Sequence, residues 1–123
     1  MEEELNEIEA DAILSPVLEI CAPRLNDFRV GPSYLHSGML NFMEMTGGSV
    51  PFGRVTLEDE KTEYKDYYID SLTNEMKTAI KGSTGVPLSV QIASYPGREA
   101  VVLGLMKQLE EETRDINDYL PLT

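Results

Sequence analysis

A chain of 123 residues has room for one domain with a modest core. With 41% hydrophobic and 26% charged residues it is ordinary for a folded protein, which argues against disorder. A formal charge of −12 at pH 7 argues against nucleic acid or an anionic membrane surface as a partner, because this surface repels phosphate. Cys21 is the one cysteine, so no intramolecular disulfide or cysteine-based metal cluster is available, and it reads as a small packed hydrophobe. No run approaches the roughly 18 apolar residues of a membrane span, and the acidic start differs from a signal or transit peptide. The expectation is a soluble, intracellular chain.

Residues 1–10 form an acidic lead, with Leu5 and Ile8 spaced for one helical face. Asp11 to Ser15 reads as a short buried strand that stops at Pro16, since proline cannot donate to a ladder. Glu19 to Pro32 carries Pro23, Asn26, Asp27, Gly31 and Pro32 without a sustained period, the mark of a long functional or covering loop. Ser33 to Met45 reads as a helix capped by Ser33, with Leu35, Met39, Phe42 and Met43 among its apolar positions. Glu44 is its one charge, so burial on most sides is expected.

Thr46-Gly47-Gly48 reads as the end of that helix, and Ser49 to Thr56 as a second strand with Val50, Phe52 and Val55 apolar. Leu57 to Lys61 reads as a charged connection, in which Thr56 and Asp59 have capping-box spacing. Tyr64, Tyr68, Leu72, Met76 and Ile80 then recur at four-residue steps, one buried stripe of a helix closing at Lys77, Lys81 and Gly82.

Gly85 to Leu109 organises the rest. Val86, Pro87, Leu88, Val90, Ile92 and Ala93 make a near-continuous apolar strand of the kind covered on both faces. Tyr95-Pro96-Gly97 is a tight turn. From Glu99, Val101, Val102, Leu105, Met106 and Leu109 recur at helical steps. Glu110 to Asp115 is a solvated end, and 116–123 a tail holding Pro121.

The order is β-α-β-α-β-α, which places the chain in the α/β class as one segment, 1–123, with a parallel or mixed sheet flanked by helices. Three strands leave two open edges, one of them apolar, so the sheet looks like part of a larger one.

Chemistry-bearing residues are sparse. His36, the sole histidine, lies on the apolar helix and reads as a hydrogen-bonded structural imidazole rather than a base. Ser15, Ser49 and Ser89 lack a Gly-x-Ser-x-Gly elbow. One histidine and one cysteine make no strong transition-metal site, and no cofactor motif is present. Glu58-Asp59-Glu60 and Glu110-Glu111-Glu112 read as solvated faces. Thr46-Gly47-Gly48-Ser49 has two readings, an anion cradle or a helix end entering a strand. The second is favoured, because a helix C-terminus turns its negative dipole end on an anion.

Gly85-Val86-Pro87-Leu88-Ser89-Val90-Gln91-Ile92, followed by Pro96 and a Glu-led apolar helix, resembles the C-terminal part of amidase-signature enzymes. Asn41 to Pro51 is similar to that family's helix-to-strand segment, with Thr46 where a proline is common, and Ala12-Ile13-Leu14-Ser15-Pro16 to its preceding strand. Val55-Thr56 with Glu58-Asp59-Glu60 looks most like the fatty-acid amide hydrolase branch. The resemblance covers about Glu9 to Glu112.

It implies the C-terminal portion of a hydrolase that cleaves amide bonds, of fatty-acid amides in particular. The family's Ser nucleophile, bridging cis-Ser and Lys base belong to an upstream segment, so this chain carries no catalytic residue and is inactive alone. By the same resemblance, the helix containing Ser33 to Met45 lines an acyl channel, and Tyr34, Gly38 and Met39 are its substrate-binding residues. The implied partners are a fatty-acid or other small amide substrate and the upstream catalytic segment; homodimerisation is left open. The complete enzyme would be cytoplasmic or peripherally membrane-associated. The alternative is a non-catalytic acidic α/β binding module, a degenerate relative.

Overall fold

A computed structural model describes residues 10–23, 35–63 and 71–116. Among these, the elements are β1 (Ile13–Pro16), α1 (Leu35–Phe42), β2 (Thr46–Arg54), α2 (Leu57–Lys61), α3 (Ser71–Ile80), β3 (Pro87–Ser94) and α4 (Glu99–Glu112). The α/β class is as expected. The acidic lead over 1–9, the loop over 24–34, Tyr64, Tyr68, the side chain of Leu72 and the tail beyond 116 lie outside the described residues.

The three strands form one sheet in the order β1-β3-β2, and β3 runs antiparallel to both neighbours. β1 and β2 therefore point the same way without touching. The chain crosses from β1 through α1 to β2, and β3 later enters the space between them. The crossover expected from the alternation is present, but every adjacent pair in this sheet is antiparallel. β3 is the central strand. Its second half explains this: Gln91, Ile92, Ala93 and Ser94 are all buried, as suits a strand with neighbours on each side. Pro16 closes β1 at the edge, where a missing N–H costs no ladder bond.

Register divides the sheet into two faces, because residues directly opposite one another point the same way. Leu14, Ile92 and Gly48 stand in one row, with Pro16, Val90 and Val50 on the same face. Ser15, Gln91 and Ser49 form a row on the other face, beside Ile13, Ala93 and Gly47. Between Pro51 and Arg54 the register shifts, setting Phe52 and Gly53 of β2 against Leu88 alone.

α4 covers the apolar face. Val102 is 2% exposed, and Val101, Leu105, Met106 and Leu109 are half-buried along the same stripe. Full burial of such a side chain is worth about 1.5–3 kcal/mol. The helix is aimed by the turn before it. Pro96 and Gly97, the latter at φ +83, are its central residues, and the Arg98 N–H donates to the Tyr95 carbonyl at 3.2 Å, the arrangement of a type II turn. Gly48 lets α4 come close, since a Cβ there would stand 2.4 Å from Met106 Sδ.

The charged connection after β2 is itself a helix, α2, and its N-terminus is closed by the capping box expected from the spacing. Asp59 N–H donates to Thr56 Oγ1 at 3.1 Å, and Thr56 N–H donates to Asp59 Oδ2 at 2.7 Å. The Thr56 hydrogen bonds hold the Asp59 carboxyl below its ordinary range. Glu60 then accepts from the Gly82 N–H at 2.7 Å and from the Thr84 N–H at 3.0 Å, tying α2 to the turn between α3 and β3. Ile20 and Ala79 form a small satellite core with Met76 and Ile80, so the segment after β1 packs on α3. Cys21, in the same segment, is a buried free cysteine.

Candidate functional site

α1 has one buried anchor and one open face. Leu40 is buried, whereas Leu35, Gly38, Met39 and Phe42, at i, i+3, i+4 and i+7, share a face and are exposed. Leu35 is 68% exposed, Met39 51% and Phe42 90%. A Cβ built on Gly38 would meet nothing within 4 Å. The expectation of a helix buried on most sides is therefore wrong. An absence of charge does mark burial in a finished protein, but it equally marks a surface awaiting an apolar neighbour.

Of the three expected substrate-binding residues, Gly38 and Met39 lie side by side on this open face, and Tyr34 lies outside the described residues. Leu35 and Phe42 share this exposed face. Their i, i+4 and i+7 spacing with Met39 is legible in the sequence and places the three on one helical face.

The opposite side of α1 is fastened by polar contacts. Ser37 Oγ lies 3.1 Å from the Val17 carbonyl oxygen and 3.4 Å from Gln91 Oε1, with its one proton shared between the two acceptors. Gln91 Nε2 donates to Ser15 Oγ at 3.0 Å. Gln91 is 7% exposed on the central strand and is the register partner of Ser15. One amide thus links the edge strand, the central strand and the helix. His36 lies alongside, with Nε2 3.7 Å from Glu19 Oε1. It faces the segment after β1, a position that suits a structural imidazole.

α1 ends earlier than Gly47. Met45 N–H donates to the Leu40 carbonyl at 3.0 Å and Glu44 N–H to the Asn41 carbonyl at 3.1 Å, with Glu44 at φ 54. This is the Schellman arrangement, with a glutamate where glycine is usual. Thr46, Gly47 and Gly48 already belong to β2, paired with Ser94, Ala93 and Ile92. The place of an anion is taken by a carboxylate: Thr46 Oγ1 donates to Glu99 Oε1 at 3.0 Å. The backbone N–H of Glu99 and the Thr46 hydroxyl hold that carboxyl below its ordinary range. Gly48 serves helix packing.

A separate open cleft of about 780 Å³ lies between the 16–22 segment, Phe52 and Val55, Ile80, and the first half of β3. Glu19, Asp59 and Glu63 are in its wall. The rest of its lining is mostly apolar, with Val17, Ile20, Phe52, Val55, Ile80 and Val90 among the side chains. None of the residues of α1 lines it.

No family model matches the chain. Fatty-acid amide hydrolase 1 of Sus scrofa is 33% identical to it over 100 residues, which is 80% of this chain and 17% of that protein. Fatty acid amide hydrolase 1 of Caenorhabditis elegans is 33% identical over 106 residues, 81% of this chain and 18% of that protein. The chain is a relative of the fatty-acid amide hydrolases. It spans less than a fifth of the length of these two relatives, so it corresponds to one piece of such a protein. The relationship to amidase-signature hydrolases drawn from the strand and helix motifs agrees with both matches. No helix of the described residues is long and apolar enough to cross a membrane.

Proposed function

We propose that this chain is the C-terminal portion of a fatty-acid amide hydrolase, in which α1 forms part of the acyl-channel wall and an upstream segment supplies the Ser, cis-Ser and Lys. The observation that carries this reading is the open stripe of Leu35, Gly38, Met39 and Phe42. An acyl chain is the kind of ligand such a stripe accepts, because each methylene removed from water contributes about 0.8 kcal/mol and needs no hydrogen-bond partner. The names of the two relatives supply the substrate class, and their greater length supplies room for a catalytic segment.

The test compares a protein carrying this segment behind an upstream amidase segment with the 123-residue chain alone, using long-chain and short-chain fluorogenic acyl amides. The expected result is turnover by the longer protein only. Phe42→Ser with Met39→Ser should lower kcat/KM for the long chain about tenfold, which is about 1.4 kcal/mol of lost apolar contact. Turnover by the chain alone, or equal loss on both substrates, would overturn the proposal.

A further inference from the structure

We infer that Gln91 is a positioning residue: through Ser37 it fixes the height and tilt of α1 over the sheet, and so sets how long an acyl chain the wall accepts. This inference rests on the function proposed above. It begins from an asymmetry in how the two long helical stripes are held. α4 lies on apolar residues and would stay docked without any single hydrogen bond, whereas α1 has Leu40 beneath it and polar contacts at Ser37. A buried amide on a central strand is costly unless its donors and acceptor are used, so its presence under a helix calls for a reason. Here Oε1 faces Ser37 and Nε2 donates to Ser15, so the amide is held at both ends between two hydroxyls. Ser37 adjoins Gly38 and lies two residues from Met39, so a shift of Ser37 moves the open stripe directly. Hydrogen bonds are directional, so with little apolar packing beneath α1 the contact at Ser37 is what sets its position.

The experiment uses the active protein carrying this segment, with Gln91→Leu, Ser37→Ala, the double variant and Ser37→Thr. Two quantities are measured: amide hydrogen exchange in α1 and α4, and kcat and KM for a long and a short acyl amide. Gln91→Leu and Ser37→Ala should each speed exchange in α1 roughly tenfold and leave α4 unchanged. Each should lower the long-to-short ratio of kcat/KM by roughly three- to tenfold through KM, with kcat on the short amide unchanged. The double variant should do no more than either single one, and Ser37→Thr, which keeps the hydroxyl, should behave as the parent. Equal acceleration of exchange in α4 would reduce Gln91 to a stability residue and overturn the inference. Faster exchange in α1 with an unchanged substrate ratio would overturn it too. A parent protein that turns over no fatty amide would sink the proposed function, and the chain-length role of Gln91 with it. The parent assay thereby separates the two failures.

Discussion

α4 and α1 lie on opposite faces of one sheet and are held by different physics. α4 sets Val102 and its neighbours against Val50, Ile92 and a glycine left open for Met106, so its position is determined by close packing. α1 buries Leu40, fastens Ser37, and turns three large apolar side chains outward. The difference separates what builds the fold from what is kept for something else. An apolar stripe that is packed contributes stability; one that is left open costs solubility and is retained for a neighbour or a ligand.

Substitutions matched across the two faces should have unequal effects on stability, the larger under α4. Val102→Ala removes buried methyls beneath α4 and should cost about 2–3 kcal/mol in denaturant unfolding. Phe42→Ala removes more atoms from α1 yet should stay within about 0.5 kcal/mol, because its ring is already in water. A larger loss at Phe42 than at Val102 would reverse the assignment of faces. The glycines give the next contrast. Gly48→Val drives a side chain into Met106 and should cost about 1–2 kcal/mol, whereas Gly38→Ala meets open space inside a helix and should raise stability by about 0.5–1 kcal/mol. Thermal melts of both variants check the pair.

The helix ends differ as well. Glu44 carries a left-handed conformation that glycine adopts freely, so Glu44→Gly should stabilise the end of α1 by about 0.5–1 kcal/mol, seen as a raised Tm. α4 ends on Thr113, whose Oγ1 donates to the Leu109 carbonyl at 2.7 Å, and has no such strain to relieve.

The smallest effect is on pH dependence. Asp59 and Glu99 have folded-state pKa values below their ordinary 3.8 and 4.5, so each deprotonated form is favoured by folding. Their contribution is complete above those ordinary values and is lost as pH falls through the lower folded values. Thr56→Val removes the hydroxyl that bonds Asp59, and should return its titration toward 3.8 in a carboxyl NMR experiment while leaving Glu99 where it was. A shift of both together would contradict the local origin assigned to each.

Much of this chain could be read from local chemistry. The capping box at Thr56 and Asp59, the Tyr95-Pro96-Gly97 turn, the stripe of α4 and the apolar run of β3 each depend on residues a few positions apart, so composition and spacing were enough to place them. That Gly38 and Met39 share a stripe with Leu35 and Phe42 follows from helical spacing, whereas the openness of that stripe does not. Three things required long-range geometry. The first is that β3 lies between β1 and β2, since strand order depends on pairing across most of the chain and alternation constrains only the crossover. The second is which apolar helix is covered: α1 and α4 have similar stripes, and only the seating of Met106 over Gly48 and of Ser37 over Gln91 distinguishes them. The third is the role of the paired glycines, which mark a helix end by their identity but a helix-to-sheet approach by their neighbours in space. Local order is written in adjacent residues; coverage of a face is a relation between distant ones, and it forms only when the chain has folded.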